Sequence, residues 1–205
     1  LFRTGPLTMP PSQLGAFAKS EASRPSANME WHVQPLSLDK FGDPLHNFDA
    51  ITPSVCNLQP TSRGHVRLKT QDPKDAPAIS LNYLSTEADM DVAVAGLRAT
   101  RRIMAAKALS RFEPTEWKPG VEFSDDTELA RVAGDLGTTI FHPVGTCKMG
   151  NDELAVVNDR LAVRGISGLR VIDASIMPRI TSGNTNAPTV MIAEKGAEFV
   201  QRNLR

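Results

Sequence analysis

Fifteen prolines and fourteen glycines are scattered through the 205 residues, and they constrain the fold more than any other feature of the sequence. Proline ends regular hydrogen bonding and glycine marks turns, so uninterrupted helix is confined to a few windows. A helical bundle is excluded on this ground. Over residues 1–27 the breaks fall at Gly5, Pro6, Pro10, Pro11, Gly15 and Pro25, which predicts coil. Between the other breaks the hydrophobic period is legible. The row MEWHVQPLSL (29–38) predicts a strand with Met29, Trp31, Val33 and Pro35 on a buried face and Glu30, His32 and Gln34 on the other. Residues 51–59 predict a second strand, and Pro60 followed by Thr61, Ser62, Arg63 and Gly64 predicts a turn into a third at 65–70, paired antiparallel with the second.

Residues 72–80 read as a Pro-punctuated link. Ser85 and Thr86 before Asp89 predict a helix reaching about Leu109, with Met90, Val94, Leu97 and Met104 inward. Ser124, Asp125 and Asp126 open a second helix with Leu129, Val132 and Leu136 inward and Gly137 as its C′ stop. Residues 160–163 and 169–172 predict short strands, and 187–203 a last helix. Charge narrows the function classes. Lys+Arg 23 against Asp+Glu 23 leaves a formal net charge of zero, with no basic face for nucleic acid. No apolar run approaches ~18 residues, so no membrane-spanning helix is expected. Cys56 and Cys147 follow no signal-like start, which argues against a disulfide scaffold and predicts a reducing, cytoplasmic setting. A first residue of Leu rather than Met predicts a processed or excised piece of a longer protein.

Two stretches could carry chemistry. TTIFHPVGTCKMG (138–150) holds His142 in a loop shaped by Pro and Gly, where a neutral imidazole can act as general base. On the residue pattern alone, a lone histidine is more often a hydrogen-bonded structural residue. Residues 169–200 combine an apolar strand, a Gly/Asn loop and a helix whose first amides, near Ala187, Pro188, Thr189 and Val190, can receive negative charge. An ordinary connection with Asn186 as N-cap is the plainer alternative. Cys147 reads as core filler rather than a nucleophile. His32, His46 and His65 lack metal-ligand spacing, so no metal site is expected.

FHPVGTCKMG, NDRLAVRGISGLRVIDASIMP and SGNTNAPTVMIAEK, in this order, resemble the C-terminal portion of the glucose–methanol–choline (GMC) oxidoreductase family. FRTGPLT, VCNLQPTSRGHVRL and Asn82-Tyr83-Leu84 resemble its choline-dehydrogenase-like branch. The resemblance implies an α+β fold. Residues 1–137 would form an antiparallel substrate-domain sheet flanked by helices, and 138–205 a catalytic loop plus the strand and helix that complete a FAD-binding domain. It implies FAD-dependent oxidation of a small alcohol, with hydride passing to flavin N5. His142 matches the family base that takes the hydroxyl proton, and Asn186 the second active-site position, which orients the substrate oxygen. Asp173 and Ala174 match a turn near the FAD ribose and pyrophosphate, and the helix start from Asn186 to Val190 faces the charge of the reduced flavin. No Gly-rich βα turn of GxGxxG type occurs in the chain. The expected partner is therefore the N-terminal FAD-binding half of the same parent, and the chain alone is expected to hold no FAD and oxidise no alcohol. Homodimerisation through surfaces that the other half would cover is a further expectation. Two alternatives stand beside this reading: a non-catalytic binding or structural module, and a FAD-containing lyase of the same fold.

Overall fold

Alternation at 29–34 builds the strand around which the first half of the chain is organised. In the computed structural model, which describes residues 10, 12–40 and 42–203, β2 (Met29–Gln34) lies between β1 (Leu14–Ala18) and β3 (Thr52–Asn57) in an antiparallel sheet of order β1-β2-β3. The segment FRTGPLT and the expected coil over 1–9 lie outside the described residues. The register aligns Ala16, Trp31 and Val55 across the three strands, and Glu30 with Cys56. β1 corrects the expectation of coil: its Leu14 and Phe17 are exposed, so no buried alternation announced it, and it forms by pairing with the edge of β2. β2 also stops four residues early, before Pro35. Glu30 is buried at 4% exposure rather than solvent-facing.

One face of this sheet packs on α1 (Glu87–Met104), where Val92 and Ala99 meet Met29 and Trp31. The Trp31 indole Nε1 donates to Thr100 Oγ1 at 2.8 Å, which satisfies the buried ring nitrogen. Gly96 permits the close approach: a Cβ there would stand 3.0 Å from both Val55 methyls. α1 ends at Met104 instead of about Leu109, because Ala106 turns extended and residues Lys107–Phe112 form a 3₁₀ turn. Of the four residues expected inward, Val94 is buried and Met90, Leu97 and Met104 are half-buried. α2 (Asp126–Leu136) is capped by Asp125, whose carboxylate accepts from the amides of Thr127 and Glu128. Those amides, Glu128's first, hold the Asp125 carboxyl below the usual aspartate range. Leu129 and Val132 pack on Val94, whereas Leu136 is exposed because that cluster covers only the first turns of α2. Gly137 closes the helix in extended rather than left-handed backbone, with its N–H on Ala133 O. Arg101 then ties the intervening loop to α1: it forks onto Glu116 at 2.7 and 2.9 Å and donates to the carbonyls of Gly120 and Phe123.

These elements make one unit, residues 1–57 and 87–137; residues 58–86 pack instead with 138–205 in a second. Residues 58–86 thus group with 138–205 rather than with their neighbours in sequence. The strand pairing also differs from expectation: β3 pairs with β2, while β4 (His65–Arg67) pairs with β5 (Ala78–Ser80). Local closure decides this. Asp72, Thr70 and Asp75 staple the β4–β5 turn through side-chain bonds to one another and to backbone amides, so a neighbouring strand is available to β4 at small loop cost. The strands expected at 160–163 and 169–172 are reduced to isolated bridges, Val157 with Val163 and Ala162 with Arg170. The core of this unit gathers Val157, Leu161, Ile176, Met177 and Ile192, the last from α3 (Asn186–Asn203). Among the described residues, no helix is long and apolar enough to cross a membrane.

Candidate active site

Residues 141–149 have no regular structure, yet they are held at several points. Gly145 adopts φ 90°, a left-handed turn that glycine accepts at no steric cost, and receives the Lys148 amide. Beyond it the amides of Cys147 and Met149 donate to the carbonyls of Ser175 and Ile176 at 3.1 and 2.8 Å. The loop carrying His142 is thus bonded to a 3₁₀ turn, Ala174–Ile176, whose Ile176 is buried against Ile192 of α3. Asp173 caps that turn through Oδ1, which accepts from the Ser175 amide at 2.8 Å and from its hydroxyl. Ala174 is half-buried beside it.

The loop before α3 supplies the other side of the contact. Ser182 stands at φ 58° and its hydroxyl accepts from Gln59 Nε2 at 3.1 Å, so residues of the 58–86 segment brace this loop. Asn184 Nδ2 then lies 3.5 Å from His142 Nε2. The Asn184 Nδ2–H can donate to Nε2 when the ring proton sits on Nδ1. Both loops at the contact carry a left-handed residue: Ser182 before Asn184, and Phe141, directly before the histidine, with φ 62° and a bulky side chain. Residues held there persist only when surrounding contacts over-determine them, a pattern that gathers at functional sites.

Asn186, expected at the second active-site position, is the first residue of α3 and is exposed. The residue recorded against the imidazole is Asn184, which the sequence reading missed. In sequence Asn184 and Asn186 flank Thr185 as two asparagines two apart, and only a three-dimensional contact distinguishes them. Thr185, not Asn186, occupies the N-cap position: its carbonyl accepts the first helical bond, from Thr189 N at 3.1 Å, and the Thr189 hydroxyl at 2.6 Å. The amides of Asn186 and Ala187 precede that bond, and Pro188 has none to offer. Val190, two positions further along, is exposed.

The chain matches the family model described as GMC oxidoreductase, C-terminal domain, over residues 60–193, more than half its length. It belongs to the GMC oxidoreductase family. An alcohol dehydrogenase [acceptor] of Pseudomonas putida is 40% identical over 98% of this chain, and an oxygen-dependent choline dehydrogenase of Klebsiella pneumoniae is 42% identical over 92%. The chain spans about a third of the length of these relatives, 37% and 34%. Among solved structures, pyridoxine 4-oxidase from Mesorbium loti aligns with a TM-score of 0.81 at 28% identity, covering 90% of this chain and 36% of that one. An FAD-dependent oxidoreductase from Chaetomium thermophilum aligns with a TM-score of 0.73 at 26% identity, covering 88% and 29%. The mixed fold of antiparallel sheets and helices is thus that of GMC oxidoreductases. The loop holding His142 and the loop holding Asn184 both lie inside the matched GMC region.

Proposed function

We propose that this chain supplies the proton-transfer side of an FAD-dependent alcohol oxidation, with His142 as general base and Asn184 as the group that holds the substrate oxygen. The contact between His142 Nε2 and Asn184 Nδ2 carries this reading. An alcohol entering between them replaces one weak bond with two. The Asn184 N–H donates to the alcohol oxygen, and the alcohol O–H donates to Nε2, which takes the proton as the C–H bond weakens. As negative charge grows on that oxygen the bond from Asn184 strengthens, so it favours the transition state over the bound alcohol. Asn186, to which the family likeness gave the orienting role, contributes instead its backbone amide at the opening of α3.

FAD, when bound, supplies the hydride acceptor. The residues present fit such a group: α3 opens with the amides of Asn186 and Ala187 beyond the helical ladder, at the positive end of an 18-residue helix, where negative charge is stabilised. Asp173 shapes the neighbouring turn by capping Ser175, and the small Ala174 leaves backbone accessible there. The grip on the pyrophosphate is placed outside these 205 residues, since they hold no Gly-rich βα turn. Calorimetric titration of the 205-residue chain with FAD is accordingly expected to show no tight one-to-one binding. The reading as a whole is tested by adding small alcohols anaerobically to the flavin-loaded full-length protein. Bleaching of the flavin is the expected outcome; flavin that binds but stays oxidised would favour a lyase, and a protein that takes up no flavin would favour a binding module.

A further inference from the structure

On the face of the first sheet turned away from α1, three side chains of metal-binding chemistry converge. Glu30 and Cys56 are direct partners across β2 and β3, and His32, two residues on from Glu30, shares their face. One ligand atom from each of the three lies within 4.8 Å of the others. His32 Nε2 stands 3.4 Å from Glu30 Oε1. Two ligands bonded to a tetrahedral zinc ion at ~2.0–2.2 Å stand ~3.4 Å apart, so this edge already has the length that coordination demands.

Two further observations call for an occupant. The His32 Nε2 is buried and makes no hydrogen bond, an arrangement that folded proteins avoid unless a water or ion completes it. Glu30 is buried at 4% exposure, and among the described residues no lysine or arginine forms an ion pair with it. A buried carboxylate needs a compensating positive charge. We propose that Glu30, His32 and Cys56 bind a divalent transition-metal ion of the zinc class, with one carboxylate oxygen, one imidazole nitrogen and one thiolate as ligands and a fourth position left to water. Thiolate with imidazole selects such an ion over magnesium or calcium, which prefer oxygen alone. On binding, the Cys56 S–H bond breaks, its proton goes to solvent, and a sulfur–metal bond forms. The three residues are 2 and 26 positions apart along the chain, so sequence spacing could not reveal them; the register of β2 against β3 assembles them.

Chelator-stripped protein titrated with Zn²⁺ in a calorimeter tests this. One ion per chain is expected, with a rise in the thermal midpoint of the loaded protein. His32→Gln and Cys56→Ser should each weaken binding at least ~10-fold, on the scale seen when a metal site loses a supporting group. Cys147→Ser, which alters the other thiol of the chain, should leave affinity unchanged. Circular dichroism of each variant before titration confirms that it is folded, and if Cys56→Ser is not, His32→Gln decides the matter alone. Failure of the folded protein to bind Zn²⁺, or binding of unchanged affinity in folded His32→Gln, would overturn the proposal. Neither outcome depends on flavin or on alcohol oxidation.

Discussion

Each of the two units of this chain has its own kind of internal cohesion. The first is built on period: strand alternation in β2, helical spacing in α1 and α2, and side chains that meet in two apolar clusters. The second has one long helix, a three-residue hairpin pair and long irregular stretches. Its cohesion comes from backbone bonds between loops, such as those of Cys147 and Met149 to the 174–176 turn, around a core of five buried residues. Regular structure places side chains by repetition and so resists local distortion. Irregular structure places each residue individually, which is what the proposed base and orienting amide require, and it tolerates the left-handed Phe141 and Ser182 in the loops that carry them.

Truncating the first unit's core should separate the two modes of cohesion most sharply. Leu129 is fully buried between α1 and α2, and Leu129→Ala is expected to cost about 2–5 kcal/mol in denaturant unfolding, through lost apolar transfer and the cavity left behind. In the second unit the corresponding stress is overpacking. A Cβ at Gly196 would stand 2.3 Å from Ile172 Cγ2, so Gly196→Ala should destabilise by about 1–3 kcal/mol even though alanine is the better helix former by ~1 kcal/mol. Ile172→Val, which removes Cδ1 at 2.9 Å but keeps Cγ2, should restore only a small part of that loss in the double variant. A stabilised Gly196→Ala would show that α3 is not seated on Ile172 as described.

The legibility of the sequence followed the same division. α1, α2 and α3 were readable because each combines a polar opening with buried residues at helical spacing, and their ends were misjudged only by a few residues, at Ala106 and Asn186. β1 and β5 were invisible, because Leu14, Phe17 and Ile79 stay exposed and therefore carry no inside–outside signal. The pairing of β3 was misread for lack of any sequence mark that separates residues 58–86 from the strand before them. In the candidate site, His142 was singled out by its Pro/Gly surroundings together with the family resemblance, whereas Asn184 drew no notice, because its contact is with a residue 42 positions away. The cluster of Glu30, His32 and Cys56 escaped for the same reason: register, not spacing, creates it.

The smallest expected effect concerns the cap of α2. The Asp125 carboxyl is held below the usual aspartate range, so its contribution to stability is present above the unfolded aspartate value and is lost as pH falls through the folded one. Asp125→Ala should lower the thermal midpoint slightly at neutral pH, and the gap from the parent should close on acidification. A gap that is constant with pH would mean that the carboxylate does not carry the cap.

The central claim, that His142 takes the substrate proton while Asn184 holds the oxygen, is tested most directly by stopped-flow measurement of flavin reduction in the full-length protein with a saturating alcohol. His142→Ala is expected to slow reduction at least ~10²-fold, the scale for loss of a general base. Asn184→Ala should slow it more than Asn186→Ala, whose backbone amide survives the substitution. Near-normal reduction by His142→Ala with FAD retained would contradict the assignment of the base, and a greater loss in Asn186→Ala than in Asn184→Ala would return the orienting role to Asn186.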